Sequence, residues 1–273
     1  LEAEGVNYVD LYRVLNSQER VLYHKRDSHW NNEGAAYAAD AVLSRLGKEH
    51  PSYSEREYSI RRDFEGDLDK MLYPSAVTME EEVYYEPQPQ FAYSGEVESN
   101  FEPKISTNSS NEGSLVMYRD SFGNALLPYM AEAYGSAFFS RALPYYLPDL
   151  KEHGADTLVI ERAERFLPDM AQEAPYMEAP EVNAEMLEDS EASEIIDLEV
   201  TGQGDLTKIM GKIPAENLKA DSRICIKVNG KECYEAFPVS CDDGQEGFSM
   251  LIASDSLNES DNKYELYLFY IHE

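Results

Sequence analysis

The clearest helical period in the chain runs from Asn32-Glu33, with Ala35, Ala39, Val42, Leu43 and Leu46 on one face and Gly47 as its stop. Spacings of three and four residues put these side chains on a single buried stripe, and Pro51 follows where a helix has already ended. Ahead of it, Gly5 to Leu11 reads as a short buried strand running into a helix. From Ser114 the pattern becomes βαβαβ. Leu115–Tyr118 is an apolar run of strand length, followed by a helix carrying Leu126, Leu127, Met130 and Tyr134 and closed by Gly135. Ala137–Phe139 is a strand, Tyr146–His153 a helix ending at Gly154, and Thr157–Ile160 another strand. Short strands alternating with helices imply a parallel sheet covered on both faces. Pro128 fits only if its helix begins shortly before it.

Between these blocks, residues 76–113 are rich in Glu, Pro, Ser and Asn and show no helical period. They read as strands or an extended excursion between core elements, with a disordered linker as the competing reading. Residues 172–193 read as an acidic linker. Beyond it, Ile195–Val200, Arg223–Val228, Lys231–Val239, Phe248–Ala253 and Tyr264–Ile271 look like strands parted by turn residues. They suggest a small antiparallel β-sandwich of about 80 residues. The expected organisation is an α/β domain over 1–171, a linker over 172–193 and the sandwich over 194–273. Asn229-Gly230 suggests a type I′ hairpin in which Val228 faces Lys231. That register sends Cys225 and Cys233 to opposite faces.

Charge narrows the choice of partners. The chain has 53 acidic and 23 basic residues, a net charge of −30. Such a surface repels phosphate backbones and anionic lipid, so neither nucleic acid nor a membrane surface is an expected partner. No apolar run approaches the ~20 residues of a membrane span. Leu1–Gly5 has neither the basic start nor the apolar core of a signal peptide, so the targeting segment of an exported protein would lie upstream.

Two stretches carry chemistry. In Asp27-Ser28-His29-Trp30, on a loop opening the first clear helix, an aspartate two residues before a histidine can hold the Nδ1 proton and leave Nε2 as a base. Trp30, the only tryptophan, could wall the site. A loop histidine beside an aspartate is also the ordinary pattern of a surface or capping pair. In Tyr118-Arg119-Asp120-Ser121-Phe122-Gly123-Asn124, a buried strand ends, a serine follows and a helix begins. That turn exposes a hydroxyl at the edge of a parallel sheet and aims backbone N–H groups at a developing oxyanion. The alternative is a serine that caps the helix, worth ~1 kcal/mol.

Taken together, in this order, the two stretches resemble the alginate O-acetyltransferase-like SGNH hydrolase family, nearest to its bacterial relatives named for an Asp-His-His-Trp (DHHW) motif. Arg141 and the Glu161–Leu167 stretch add to the likeness, which spans about residues 5–168. The resemblance implies an SGNH-type, flavodoxin-like α/β fold, with Ser121 as nucleophile, His29 as general base and then acid, and Asp27 as its orienter. It implies oxyanion donors at the Ser121 N–H and the Asn124 side chain, substrate contacts at Arg141 and Trp30, and no metal or organic cofactor. The implied partner is a carbohydrate polymer outside the bacterial cytoplasm, in the envelope or beyond it. Ser28 stands where the motif has its second histidine, and Arg119 where GDSL enzymes have glycine. A surface protein that keeps the fold and binds glycan or protein without catalysis is the alternative; 20 tyrosines suit either reading.

Overall fold

The computed structural model describes residues 5–187, 190, 192–219 and 222–269. The last two residues of the expected strand Tyr264–Ile271 therefore lie outside the described residues, as does most of the opening segment. The chain divides into two compact units, one of residues 1–142 with 149–163 and one of residues 143–148 with 164–273.

The first unit contains α1 (Leu11–Asn16), α2 (Asn32–Arg45), β1 (Glu57–Glu65), α3 (Asp67–Leu72), β2 (Met79–Glu86), β3 (Ala92–Tyr93), β4 (Lys104–Asn108), β5 (Ser114–Tyr118), α4 (Gly123–Ala133), β6 (Ser136–Ser140), α5 (Asp149–Glu152) and β7 (Thr157–Ile160). Its main sheet has the order β3-β4-β6-β5-β7. β5 lies between β6 and β7, parallel to both. Leu115 to Tyr118 are fully buried, as a central parallel strand requires. Leu115 and Met117 join the core shared with Ala35, Leu43, Leu126 and Met130 of α2 and α4. Tyr118 donates instead to Asp149 of α5 at 3.2 Å.

Several expectations change. The parallel part of the sheet is three strands, because the 76–113 excursion returns as β4, antiparallel to β6. Residues 6–10 are not a strand; only α1 forms there. β1 and β2 make a separate antiparallel ribbon. β1 is exposed along almost its whole length, and its short alternation at Tyr58 and Ile60 breaks at the register shift between Arg61 and Phe64. The helix expected over 146–153 shrinks to Asp149–Glu152, since Pro144 and Pro148 exclude helix before it. Pro128 sits inside α4 and leaves the Asn124 carbonyl without its helical donor. Asn100 Nδ2 fills that place at 3.3 Å.

The second unit contains α6 (Leu167–Gln172), β8 (Glu181–Val182), β9 (Ala192–Ser193), β10 (Ile196–Gln203), β11 (Leu206–Lys212), β12 (Arg223–Val228), β13 (Glu232–Ser240), β14 (Glu246–Ala253) and β15 (Tyr264–Phe269). The strands form an antiparallel array in the order β10-β11-β14-β13-β12-β15-β9, with β8 added to β13. β13 pairs with β12 over its first half and with β14 over its second. One core, including Ile209, Ile224, Ile226, Phe248, Ile252 and Leu266, collects residues from β11, β12, β14 and β15. Within residues 172–193, Ala179 N–H donates to Leu251 at 2.7 Å.

The Asn229-Gly230 turn forms with both residues at positive φ, but Val228 pairs with Glu232 rather than Lys231. A one-residue shift reverses every face. Cys225 and Cys233 consequently share a small apolar cluster with Leu187 and Phe269, and both are free thiols.

Candidate active site

The histidine loop is pinned from several sides. Asn31 caps α2 by accepting the Gly34 N–H at 2.9 Å. Gly34 is required there, because a Cβ would lie 2.7 Å from the Leu22 carbonyl. Glu82 accepts the N–H groups of Asn32 and Val83 and pairs with His24 at 3.0 Å, all beneath the loop.

Asp27 is held by three donors. Its Oδ1 accepts the backbone N–H and the ring Nδ1–H of His29, each at 2.8 Å. Its Oδ2 accepts the Asp67 N–H at 2.8 Å. Burial pushes this carboxyl up, but the Asp67 and His29 donors outweigh it and hold it below the ordinary carboxylate range. An ionised carboxylate only accepts, so the imidazole proton sits on Nδ1 and Nε2 is left as an acceptor. The Ser121 hydroxyl donates to that Nε2 at 2.8 Å. Residues 92 positions apart thus form one hydrogen-bonded chain.

Ser121 is not a helix cap. The N-cap of α4 is Phe122, and no side chain caps it. Ser121 is half-buried, and its N–H has no acceptor among the described residues. Trp30 lies between the two loops. Its Nε1–H donates to the Phe122 carbonyl at 3.1 Å, and its ring meets the Phe122 ring edge-on at 5.3 Å. The tryptophan is a strut between base and nucleophile.

The nucleophile turn rests on charged groups to which the sequence reading gave no catalytic role. Asp120 Oδ1 accepts the Phe122 N–H and its Oδ2 the Ala163 N–H, both at 2.8 Å. Glu161 Oε2 accepts the Asp120 N–H at 3.1 Å, and the Glu161 carboxyl also bonds Gly123 N–H and the Asp120 side chain. Any Cβ on Gly123 would lie 2.6 Å from Arg119 Cβ and 2.9 Å from Glu161 Oε2, so glycine is obligatory at this close approach. Burial, then the charge of Asp120, pushes Glu161 up to about 8, against the pull of the two N–H donors. The unfolded carboxyl ionises at its ordinary 4.5. The unfolded chain therefore loses this proton first, and stability falls as pH rises from there to about 8. Glu161→Gln keeps a donor for Asp120 and cannot ionise. Its melting temperature should gain on the wild type between roughly pH 5 and pH 8; parallel melting curves over that range would refute the assignment.

Arg119 is buried, 2% exposed, and reaches Asn124 Oδ1 and the carbonyls of Asn100 and Glu102. Burial, and then the neighbouring Arg141, lowers it to about 10. Arg141 itself makes no hydrogen bond or ion pair with Ser121, His29 or Asp27. It donates to the Phe101 carbonyl at 3.3 Å and has no carboxylate partner among the described residues. Asn124 lies in the first turn of α4, its N–H donating to the Ser121 carbonyl at 3.2 Å. The sequence signals for this under-layer were charged residues closing two apolar strands, at 119 and at 161. Asp67 and Asn100 gave none.

Asp27, His29 and Asp67 also present ligand atoms within 4.8 Å of one another, a set that could hold a metal ion. These atoms are already engaged: Asp67 accepts the Ser28 N–H at 2.9 Å and its hydroxyl at 2.5 Å. Among the described residues no helix is long and apolar enough to cross a membrane.

Residues 1–104 match a family model described as SGNH hydrolase-like domain, acetyltransferase AlgX. No curated protein matches the chain. Similar solved structures include a DHHW family protein from Eubacterium siraeum DSM 15702, 20% identical with a TM-score of 0.46, covering 56% of this chain and 63% of that one. Bacillus cereus PatB1 is 14% identical with a TM-score of 0.41, covering 54% of this chain and 64% of that one. Pseudomonas aeruginosa AlgX is 14% identical with a TM-score of 0.36, covering 98% of this chain and 73% of that one. The chain spans a little under two thirds of the first two neighbours. The family model spans the Asp27–Trp30 stretch and agrees with the likeness read there: the chain resembles the alginate O-acetyltransferase-like SGNH hydrolases.

Proposed function

We propose that the chain is a serine-dependent acyl-ester hydrolase or O-acyltransferase acting on a cell-surface or extracellular carbohydrate. The observation that carries this reading is the 2.8 Å hydrogen bond from Ser121 to a His29 whose other nitrogen is fixed by Asp27. A hydroxyl so placed is a nucleophile with its base already in position.

In this mechanism Ser121 Oγ attacks an ester carbonyl and its proton passes to His29 Nε2. Asp27 steadies the imidazolium without taking its proton. The carbonyl electrons move to oxygen, which the Ser121 N–H and the Asn124 side chain stabilise. Collapse expels the alcohol with the proton from His29 and leaves acyl-serine. Water or a sugar hydroxyl, deprotonated by His29, then releases the acyl group. The substrate contacts are Arg141, whose remaining donors suit a carbonyl or an acidic sugar, and Trp30 at the wall of the site.

Residues 1–171 carry the chemistry, residues 172–193 connect, and residues 194–273 form a β-sandwich accessory domain that binds glycan. Support for the accessory role comes from a cavity of about 460 Å³ in the second unit, lined by Phe237, Ser249 and Met250 of the accessory domain together with Tyr176 and Met177 of the connecting segment. Phe237 is exposed there, and the lining Tyr176 is stacked at 5.0 Å by Tyr146, itself exposed. The placement is extracytoplasmic, and no nucleic acid takes part.

Purified protein should hydrolyse p-nitrophenyl acetate, and part of the acyl group should pass to an added polysaccharide. Absence of both activities in folded protein would favour the non-catalytic alternative.

A further inference from the structure

Arg119 poses a question that the Ser–His–Asp chain does not answer. A guanidinium removed from water is costly unless its donors are matched. Here Nη2 donates to the carbonyls of Asn100 and Glu102, each at 3.0 Å, and Nη1 to the Asp120 carbonyl at 3.4 Å and to Asn124 Oδ1. Nε has no acceptor among the described residues. Among the described residues, the one side chain that the guanidinium hydrogen-bonds is therefore Asn124.

A primary amide has two unlike ends, an oxygen that only accepts and a nitrogen that only donates. With a buried cation on Oδ1, turning the amide over would set NH₂ against the guanidinium. The amide is locked with Nδ2 as its free end, and Nδ2 has no acceptor among the described residues. The backbone of Asn124 is equally fixed, by its bond to the Ser121 carbonyl and by Asn100 Nδ2 on its own carbonyl.

We infer that Arg119 is a positioning residue for acyl transfer, clamping the Asn124 amide oxygen so that Nδ2 stays presented to the oxyanion formed when Ser121 attacks. The inference rests on Ser121 being the nucleophile. It also explains a cation where relatives of the GDSL type carry glycine: the arginine sets a donor that a bare turn would leave free to rotate.

The test is a double-mutant cycle on p-nitrophenyl acetate with Asn124→Ala, Arg119→Met and the pair. Asn124→Ala should lower kcat about 100-fold with little change in KM. Arg119→Met should lower kcat about 10-fold or more, again with little change in KM, and the double variant should be no slower than Asn124→Ala alone. Arg119→Lys keeps the charge but not the fork and takes the place of the methionine variant if that one does not fold. An Asn124→Ala enzyme with undiminished kcat, or losses that simply multiply, overturns the inference. If wild-type protein neither turns over ester nor reacts at Ser121, the catalytic reading fails and this inference with it. An active, reactive wild type with an unaffected Asn124→Ala sinks the inference alone.

Discussion

Ser121→Ala should lower p-nitrophenyl acetate turnover by about 10⁴-fold or more, while leaving the fold intact. That loss corresponds to roughly 5 kcal/mol or more of transition-state stabilisation. The two halves of this expectation have separate grounds. The hydroxyl makes its one side-chain bond to His29 and caps nothing, so its removal costs α4 no partner. Without it, no other hydroxyl among the described residues stands against His29 Nε2, and the remaining oxyanion donors act on water alone. A melting temperature close to wild type, combined with the collapse of kcat/KM, is the expected pair of measurements. Substantial residual turnover would remove Ser121 from the reaction.

Asp27→Asn should be nearly as damaging, about 10³- to 10⁴-fold in kcat. The carboxylate accepts three N–H groups at once, two on Oδ1 and one on Oδ2. An asparagine must turn its NH₂ toward one side. Facing Asp67, it meets an N–H donor and pushes the loop apart. Facing His29, it forces the ring to accept at Nδ1 and carry its proton on Nε2, which makes the imidazole useless as a base toward Ser121. The same contacts give a stability signature. Because Asp27 is held below its ordinary 3.8, its stabilising contribution is complete above that value and is lost as pH falls through the lowered one. Asp27→Asn should therefore soften acid unfolding, and unchanged acid melting in the variant would count against these contacts.

The parts of the molecule legible in sequence were those where neighbouring residues carry the signal. The stripe of α2, the apolar run of β5 and the two loop motifs are local patterns, and the structure brings Asp27, His29 and Ser121 together. What escaped is set by contacts across the chain. Arg119 and Asn100 act under the nucleophile turn through carbonyls and an amide that no spacing announces, whereas Glu161, part of the family likeness in the sequence, braces the same turn. β11 went unassigned because its buried positions include Thr207 and Gly211 while Leu206 and Met210 stand on the less buried side. The hairpin at Asn229-Gly230 had the right turn chemistry, yet one residue of register decided that Cys225 and Cys233 share a face. The expected helix over 146–153 had the apolar content of a helix but lost its first turn to two prolines.

The most direct measurement is the intact mass of the protein after exposure to a fluorophosphonate, followed by mapping of the modified peptide. One adduct, on Ser121 and absent from Ser121→Ala, is the expected result. Folded wild-type protein that stays unmodified, or that carries its label on a different side chain, would contradict a serine primed by His29.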